Sequence, residues 1–314
     1  MSGGEAVSKD KFRGALIGLA VGDALGMPIE FKKEGTFEPV REMRPGGEFK
    51  LKAGQWTDDT SMALCIAKSL VEKRDFDPSD IMRKFLRWKD EGYMSSTGYC
   101  FDSGETTMMA LNEFRDTGEP YRRPPPPESK RTGNGCIMRL APIPMAFAGN
   151  PRVAVDLSEL SSRLTHAAGV CVDSTRYLGG LIVGALNGVA KEELLSDSYS
   201  PVRGYFAKKP MVPEISRIAS GSFKMNRPKA SFIVTDTLEM ALWGFFNTSS
   251  FKEGMLEVVN RGGDADSYGA VYGQLAGAFY GESAIPESWR KEIAHWELVS
   301  GTAEELWSLK MLRS

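Results

Sequence analysis

Histidine is almost absent from this chain. Only His166 and His295 occur among 314 residues. A zinc site built from several imidazoles is thereby excluded, and a Ser-His-Asp arrangement would have to use one of these two. Cysteine is scarce as well. Cys65, Cys100, Cys136 and Cys171 stand far apart without a CxxC pair, which fits a reduced, cytoplasmic chain with buried thiols. Neither sign of charge is in excess. The formal net charge is −2, so no basic field draws in nucleic acid. No uninterrupted apolar run approaches the roughly 18 residues of a membrane span. Met1 to Asp10 lacks the apolar stretch of a signal peptide. Convincing period-2 alternation is missing too, so little sheet is expected.

What remains is ordinary for a globular protein: 42% apolar and 25% charged residues. The pattern predicts an all-α fold, with a flexible segment over 1–10 and a single domain over 11–314. Helical spacing is read over 11–26, 61–73, 79–90 (with Ser79 as cap), 104–115, 156–164, 172–190, 234–247, 251–260 and 267–281. Residues 37–55 and 117–132 read as long loops, the second holding the proline run Pro124–Pro127 as an extended surface segment. Residues 195–232 show weak periodicity and read as an irregular insertion.

Glycine is plentiful and periodic. Gly14, Gly18, Gly22 and Gly26 recur every fourth residue, as do Gly269, Gly273, Gly277 and Gly281, and Gly180, Gly184 and Gly188 form a shorter series. Each helical glycine costs roughly 1 kcal/mol relative to alanine, so the stripes need a reason, and close approach of two helix backbones supplies one. Packing of the first and last stripes would bring the chain ends together.

That packing would also join two acidic clusters, Thr57-Asp58-Asp59-Thr60 and Gly262-Gly263-Asp264-Ala265-Asp266-Ser267. Alone, each reads as a helix N-cap. A cap needs only one carboxylate, however, and adjacent carboxylates repel. Four carboxylates and two hydroxyls on one site form an all-oxygen cage suited to a hard divalent cation such as Mg²⁺ or Mn²⁺. Two such ions about 3.5–4 Å apart could clamp a polar substrate. Other segments have plain readings beside functional ones. Glu30 after the first glycine helix is solvated or catalytic. Asp102-Ser103-Gly104 is a cap or a site loop. Gly133-Asn134-Gly135-Cys136 is a tight turn or a phosphate cradle. His166 is a hydrogen-bonded core residue or a ligand contact. A Cys171–His166 nucleophile pair can be drawn on paper.

Together, FRGALIGLAVGDALGMPIEF (12–31), WTDDTSMA (56–63), FDSGETT (101–107), GNGCIMRLAPIP (133–144), THAAGV (165–170) and NRGGDADSYGAVYGQLAGAFYG (260–281) resemble the ADP-ribosylglycohydrolase family in content and order. The resemblance implies a compact orthogonal helical bundle with two Mg²⁺ (or Mn²⁺) ions in a cleft. It implies Thr57, Asp58, Asp59, Asp264, Asp266 and Ser267 as metal ligands. Catalytic roles would fall to Asp58, Asp59, Glu30 and Asp102. Gly133, Asn134, Gly135, Cys136, His166, Ser103 and Gly104 would bind substrate. The expected reaction releases ADP-ribose from an ADP-ribosylated protein, from arginine first, with serine-linked ADP-ribose, poly(ADP-ribose) or another conjugate as alternatives. A monomer is expected. A non-catalytic, crystallin-like or ADP-ribose-binding protein and a Mg²⁺-dependent nucleotide phosphohydrolase are the competing classes. Departures from the family pattern are Ala265 for the usual Thr, Ser267 for Thr, Cys136 in the glycine loop, where its thiol would narrow the pocket, and Glu105 for Asn or Gly.

Overall fold

Two of the glycine stripes meet face to face. In the computed structural model, which describes residues 8–126, 129, 131–225 and 227–313, helix α1 (Lys9–Gly26) runs antiparallel along α13 (Ala265–Tyr280). A Cβ on Gly22 would lie 2.0 Å from the Gly269 carbonyl oxygen, and one on Gly18 would lie 2.3 Å from that of Gly273. No side chain fits between these backbones, so glycine is required there. By length and composition the stretch from Lys9 to Ile29 could cross a membrane, but 94% of its 18-residue apolar window is buried inside the bundle.

The other helices surround this pair. In chain order they are α2 (Asp58–Lys73), α3 (Pro78–Glu91), α4 (Glu105–Thr117), α5 (Pro142–Ala146), α6 (Pro151–Arg163), α7 (Gly169–Leu186), α8 (Lys191–Leu194), α9 (Tyr205–Lys208), α10 (Pro213–Ala219), α11 (Val234–Asn247), α12 (Phe251–Val259), α14 (Glu287–Glu292) and α15 (Trp296–Arg313). Pairing of β type among the described residues is limited to isolated bridges, such as Gly46 with Leu51 and Gly133 with Ile233. The all-α expectation is met. The chain ends pack together as well. Phe12 of α1 meets Trp307 of α15 edge-on at 5.2 Å, and Arg13 donates to Glu282 and to Ser300 Oγ.

Several local expectations need correction. Residues 1–7 of the expected flexible segment and Pro127 of the proline run lie outside the described residues. Lys9 and Asp10 belong to α1, where Asp10 accepts from Ser283 N (2.9 Å). The cap of α3 is Asp77 rather than Ser79, because Pro78 takes the first helical position and the Asp77 carboxylate accepts from Asp80 N. The third glycine series is no backbone contact. Gly180 and Gly184 make room for Pro201 and Tyr199, and Gly188 lies beyond α7. The irregular stretch 195–232 is mostly loop, carrying the short helices α9 and α10.

Candidate metal centre and substrate cleft

The N-termini of α2 and α13 point at one place. Neither is capped by its own side chain. The orphan N–H groups at the start of α2 are met from α1: Asp23, fully buried, accepts from Thr57 N (2.8 Å) and Thr60 N (3.0 Å) and from both threonine hydroxyls (3.0 and 2.7 Å). The capping reading of Asp58 and Asp59 is therefore set aside, and their carboxylates are free for another task. On the α13 side, Gly262 and Gly263 both adopt left-handed φ of 64°. A Cβ on Gly262 would lie 2.2 Å from Lys32 O. This turn lets Gly263 N reach Lys32 O (2.8 Å) and Phe31 N reach Gly263 O (2.7 Å), lacing the Glu30 segment to Asp264.

Seven carboxylates converge as a result: Asp23, Glu30, Asp58, Asp59, Asp102, Asp264 and Asp266. Ligand oxygens of Asp23, Asp59 and Asp266 lie within 4.8 Å of one another, and so do those of Glu30, Asp264 and Asp266. Protein donors are too few for them. The single Thr57 hydroxyl proton faces Asp23 at 3.0 Å, Asp59 at 3.1 Å and Asp266 at 3.2 Å. Asp59 Oδ1 and Glu30 Oε2 are buried with no partner. Among the described residues no lysine or arginine forms a salt bridge with any of the seven. Burial, then mutual repulsion, raises the pKa of Asp23 to about 7 and that of Asp102 to about 8. The same causes push Glu30, Asp58, Asp59 and Asp264 well above the carboxylate range. Such a cluster of hard oxygens short of protons and cations fits divalent metal.

The cluster forms the floor of a cleft of about 380 Å³. Of the expected site residues, Glu30, Asp58, Asp102, Ser103, Gly104, Gly133, Asn134, Gly135, His166, Asp264, Asp266 and Ser267 line it. Thr57 and Asp59 lie beneath its surface, bonded into the cluster. Asn134 commits its amide to Thr237 Oγ1 (2.9 Å) and Asp264 Oδ2 (2.5 Å), so it ties the glycine loop to the acidic floor. Cys136 is a correction: its buried thiol turns away to Cys171 O (3.8 Å) and does not narrow the cleft. The Cys171–His166 nucleophile pair is also overturned. The Cys171 thiol donates to Gly133 O (3.5 Å), and bonding to Cys136 together with burial raises its pKa far out of a nucleophile's range.

His166 has a defined role in the cleft wall. The Thr165 hydroxyl accepts from Arg139 Nη2 (2.5 Å) and lies 2.8 Å from His166 Nδ1. His166 Nε2 faces Gly133 and Gly135. Burial and the Arg139 charge hold the imidazole pKa down to about 3, so it is neutral. Gly135 is small for this ring, since a Cβ there would lie 2.8 Å from His166 Cε1. Sequence reasoning missed Asp23 and Arg139. Arg139 is buried, stacks on Phe85 at 4.8 Å and makes no salt bridge among the described residues. Asp23 carried a signal, a lone carboxylate inside the apolar run VGDALG (21–26).

The sequence profile of ADP-ribosylglycohydrolase matches residues 5–314. The chain belongs to the ADP-ribosylglycohydrolase family. It is 37% identical to ADP-ribosylarginine hydrolase Tri1 of Serratia proteamaculans, over 96% of this chain and 80% of that protein. It is 30% identical to the ADP-ribosyl-[dinitrogen reductase] glycohydrolase of Rhodospirillum rubrum, over 90% of each. A solved structure described as an ADP-ribosylglycohydrolase-related protein complex superposes with a TM-score of 0.84 at 40% identity, covering 96% of this chain and 99% of its own.

Proposed function

We propose that this ADP-ribosylglycohydrolase cleaves the N-glycosidic bond between ADP-ribose and an arginine side chain of a modified protein, with two Mg²⁺ ions (Mn²⁺ as substitute) at the acidic floor. The observation that carries the metal is the shared Thr57 hydroxyl, one proton facing three buried carboxylates. The arginine linkage rests on the 37% identity to the Serratia hydrolase and on a cleft whose acid side suits a guanidinium leaving group. Thr57, Asp58, Asp59, Asp264, Asp266 and Ser267 would hold the ions, with Asp23 bracing them from behind. The ions would neutralise the floor and polarise the sugar oxygens set against it.

The protein's own groups do the rest. The Gly133–Gly135 loop presents backbone amides toward the diphosphate, with the neutral His166 ring beside them. Glu30 stands beside Asp102 at the cleft mouth, and its burial favours the protonated acid. That proton passes to the leaving guanidine nitrogen as the bond to the anomeric carbon breaks. Water adds to that carbon from the acidic side, and its proton returns to the Glu30–Asp102 pair. The test is release of free ADP-ribose from an arginine-ADP-ribosylated protein with Mg²⁺ and with EDTA. Release that EDTA abolishes is expected. Release of serine-linked but not arginine-linked ADP-ribose would move the acceptor, and phosphate in place of ADP-ribose would overturn the reaction class.

A further inference from the structure

Five aromatic rings form an unbroken chain at the cleft mouth. Phe232 stacks on Phe31 at 5.7 Å, Phe31 meets Phe49 at 6.4 Å, Phe49 meets Phe101 at 5.2 Å and Phe101 meets Tyr99 at 5.8 Å. Of the five, Phe31 and Phe232 line the cleft, and the other three continue the chain of ring contacts from Phe31. Tyr99 is 58% exposed, Phe31 51% and Phe232 48%, with Ile233 beside them at 44%. These are four of the six large apolar side chains exposed among the described residues. A contiguous apolar surface of this kind marks a contact site more often than a scatter of single residues does.

The rings are held in place. Phe31 sits at a left-handed φ of 62° and is tied through its N–H to Gly263 O. Its neighbour across the mouth, Asp102, is left-handed too, at 49°. Non-glycine residues in this region carry strain that the surroundings must maintain. Beside Phe232, Ser231 is held by the Tyr268 hydroxyl, which meets both its N–H (2.5 Å) and its carbonyl (2.8 Å). Phe49 lies in the turn closed by Gly46 and Leu51, and Tyr99 O accepts from the Ser95 and Thr97 hydroxyls.

The direction of the cleft says what lies over them. The segment 101–107, which leads into α4, runs along one wall. Asp102 stands at its acidic end, next to Phe101. Thr106, farther along, also lines a second recess walled by Arg122, Arg123 and Arg131. A diphosphate is drawn toward the basic end and the anomeric carbon toward the acids. The acceptor then leaves across the mouth beside Glu30 and Asp102, whose chain neighbours are Phe31 and Phe101. We infer that the ring chain is a docking platform for the acceptor polypeptide, selecting modified arginines flanked by apolar side chains. This inference rests on the proposed reaction for the placement of the acceptor.

The test uses two arginine-ADP-ribosylated peptides, one with Leu and Trp beside the modified arginine and one with Gly and Ser, together with ADP-ribosyl-agmatine and free ADP-ribose. The enzyme forms are wild type, Tyr99→Ser and Phe49→Ser. Wild type should show a KM about tenfold lower for the apolar-flanked peptide, the size of one buried aromatic contact. Either variant should lose most of that preference and leave kcat, agmatine-conjugate turnover and the ADP-ribose Kd unchanged. Equal KM for the two peptides on wild type overturns the platform. A matching loss for the agmatine conjugate or for ADP-ribose also overturns it, because the rings would then hold the nucleotide. If wild type turns over none of the conjugates, the reaction reading falls, and Kd values for the two peptides decide the platform: equal affinity rejects it, and an apolar preference lost in Tyr99→Ser supports it.

Discussion

Asp23 and Asp58 are both buried carboxylates of the acidic cluster, yet they do different work. Asp23 accepts four hydrogen bonds, two of them from backbone N–H groups that cannot turn elsewhere. Asp58 accepts none from the described residues and faces the cleft. In Asp23→Asn one carboxylate oxygen becomes an NH₂ group, which opposes the N–H of Thr57 or of Thr60. The unpaired donor costs about 2 kcal/mol. Asp58→Asn breaks no bond and removes a group whose ionised form its buried neighbours repel. Thermal unfolding in EDTA should therefore show Asp23→Asn lowered, and Asp58→Asn level with wild type or above it. Both should lose turnover at limiting Mg²⁺, Asp58→Asn by at least the roughly 10–100-fold that loss of an outer-shell metal partner costs. Wild-type turnover in Asp58→Asn would reject its assignment as a ligand. The acidic cluster was legible because carboxylates and hydroxyls gathered in two short stretches of sequence. Asp23 was not, because its partners lie 34 and 37 residues away and only the fold reveals them.

At the scale of elements, glycine decides the geometry. The α1–α13 contact exists because carbonyl oxygens occupy the space where a Cβ would stand, 2.0 Å from Gly273 in the case of Gly18 O. Gly273→Ala gains up to about 1 kcal/mol of helix propensity. It must also push the paired backbones apart, and overpacking of this kind costs about 1–3 kcal/mol or more. A net loss is expected. Gly301, inside α15, has nothing within 4 Å of its would-be Cβ, so Gly301→Ala should stabilise by about 0.5–1 kcal/mol. Urea midpoints that move in opposite directions for the two variants would bear this out. A Gly273→Ala midpoint at or above wild type would show that the helices can separate without cost. The two matched stripes were readable because their spacing equals a helical turn in both partners. The third series had the same spacing but faces the loop at 199–201, and periodicity cannot tell a helix partner from a loop. Helix α15 escaped the sequence reading although Val299, Ala303 and Leu306 are buried at helical spacing. Gly301, on the exposed side, weakens the helix signal, and the partly exposed Leu298 and Trp307 blur the edge of the buried face.

The whole molecule carries a net charge of only −2, but it concentrates seven carboxylates in one cleft. Without metal this arrangement opposes folding in a pH-dependent way. Unfolded aspartates titrate near about 3.9. In the fold, burial and repulsion raise Asp23 to about 7 and Asp102 to about 8. Between those limits the folded state binds more protons than the unfolded one. Stability therefore falls as pH rises, and it is fully present only below the unfolded values. Metal-free protein in EDTA should accordingly melt lower at pH 8 than at pH 5. A saturating divalent cation binds the ionised folded form and adds RT ln(1 + [L]/Kd), roughly 2.7 kcal/mol at one hundred times Kd. Since protons and cation compete for the same oxygens, the rise in Tm on adding Mg²⁺ should be large at pH 8 and small at pH 5. A Mg²⁺ effect equal at both pH values would mean that the ion binds outside this cluster. A loss of the effect in Asp266→Asn at pH 8 would tie it to the floor of the cleft, where Asp266 joins both groups of converging oxygens.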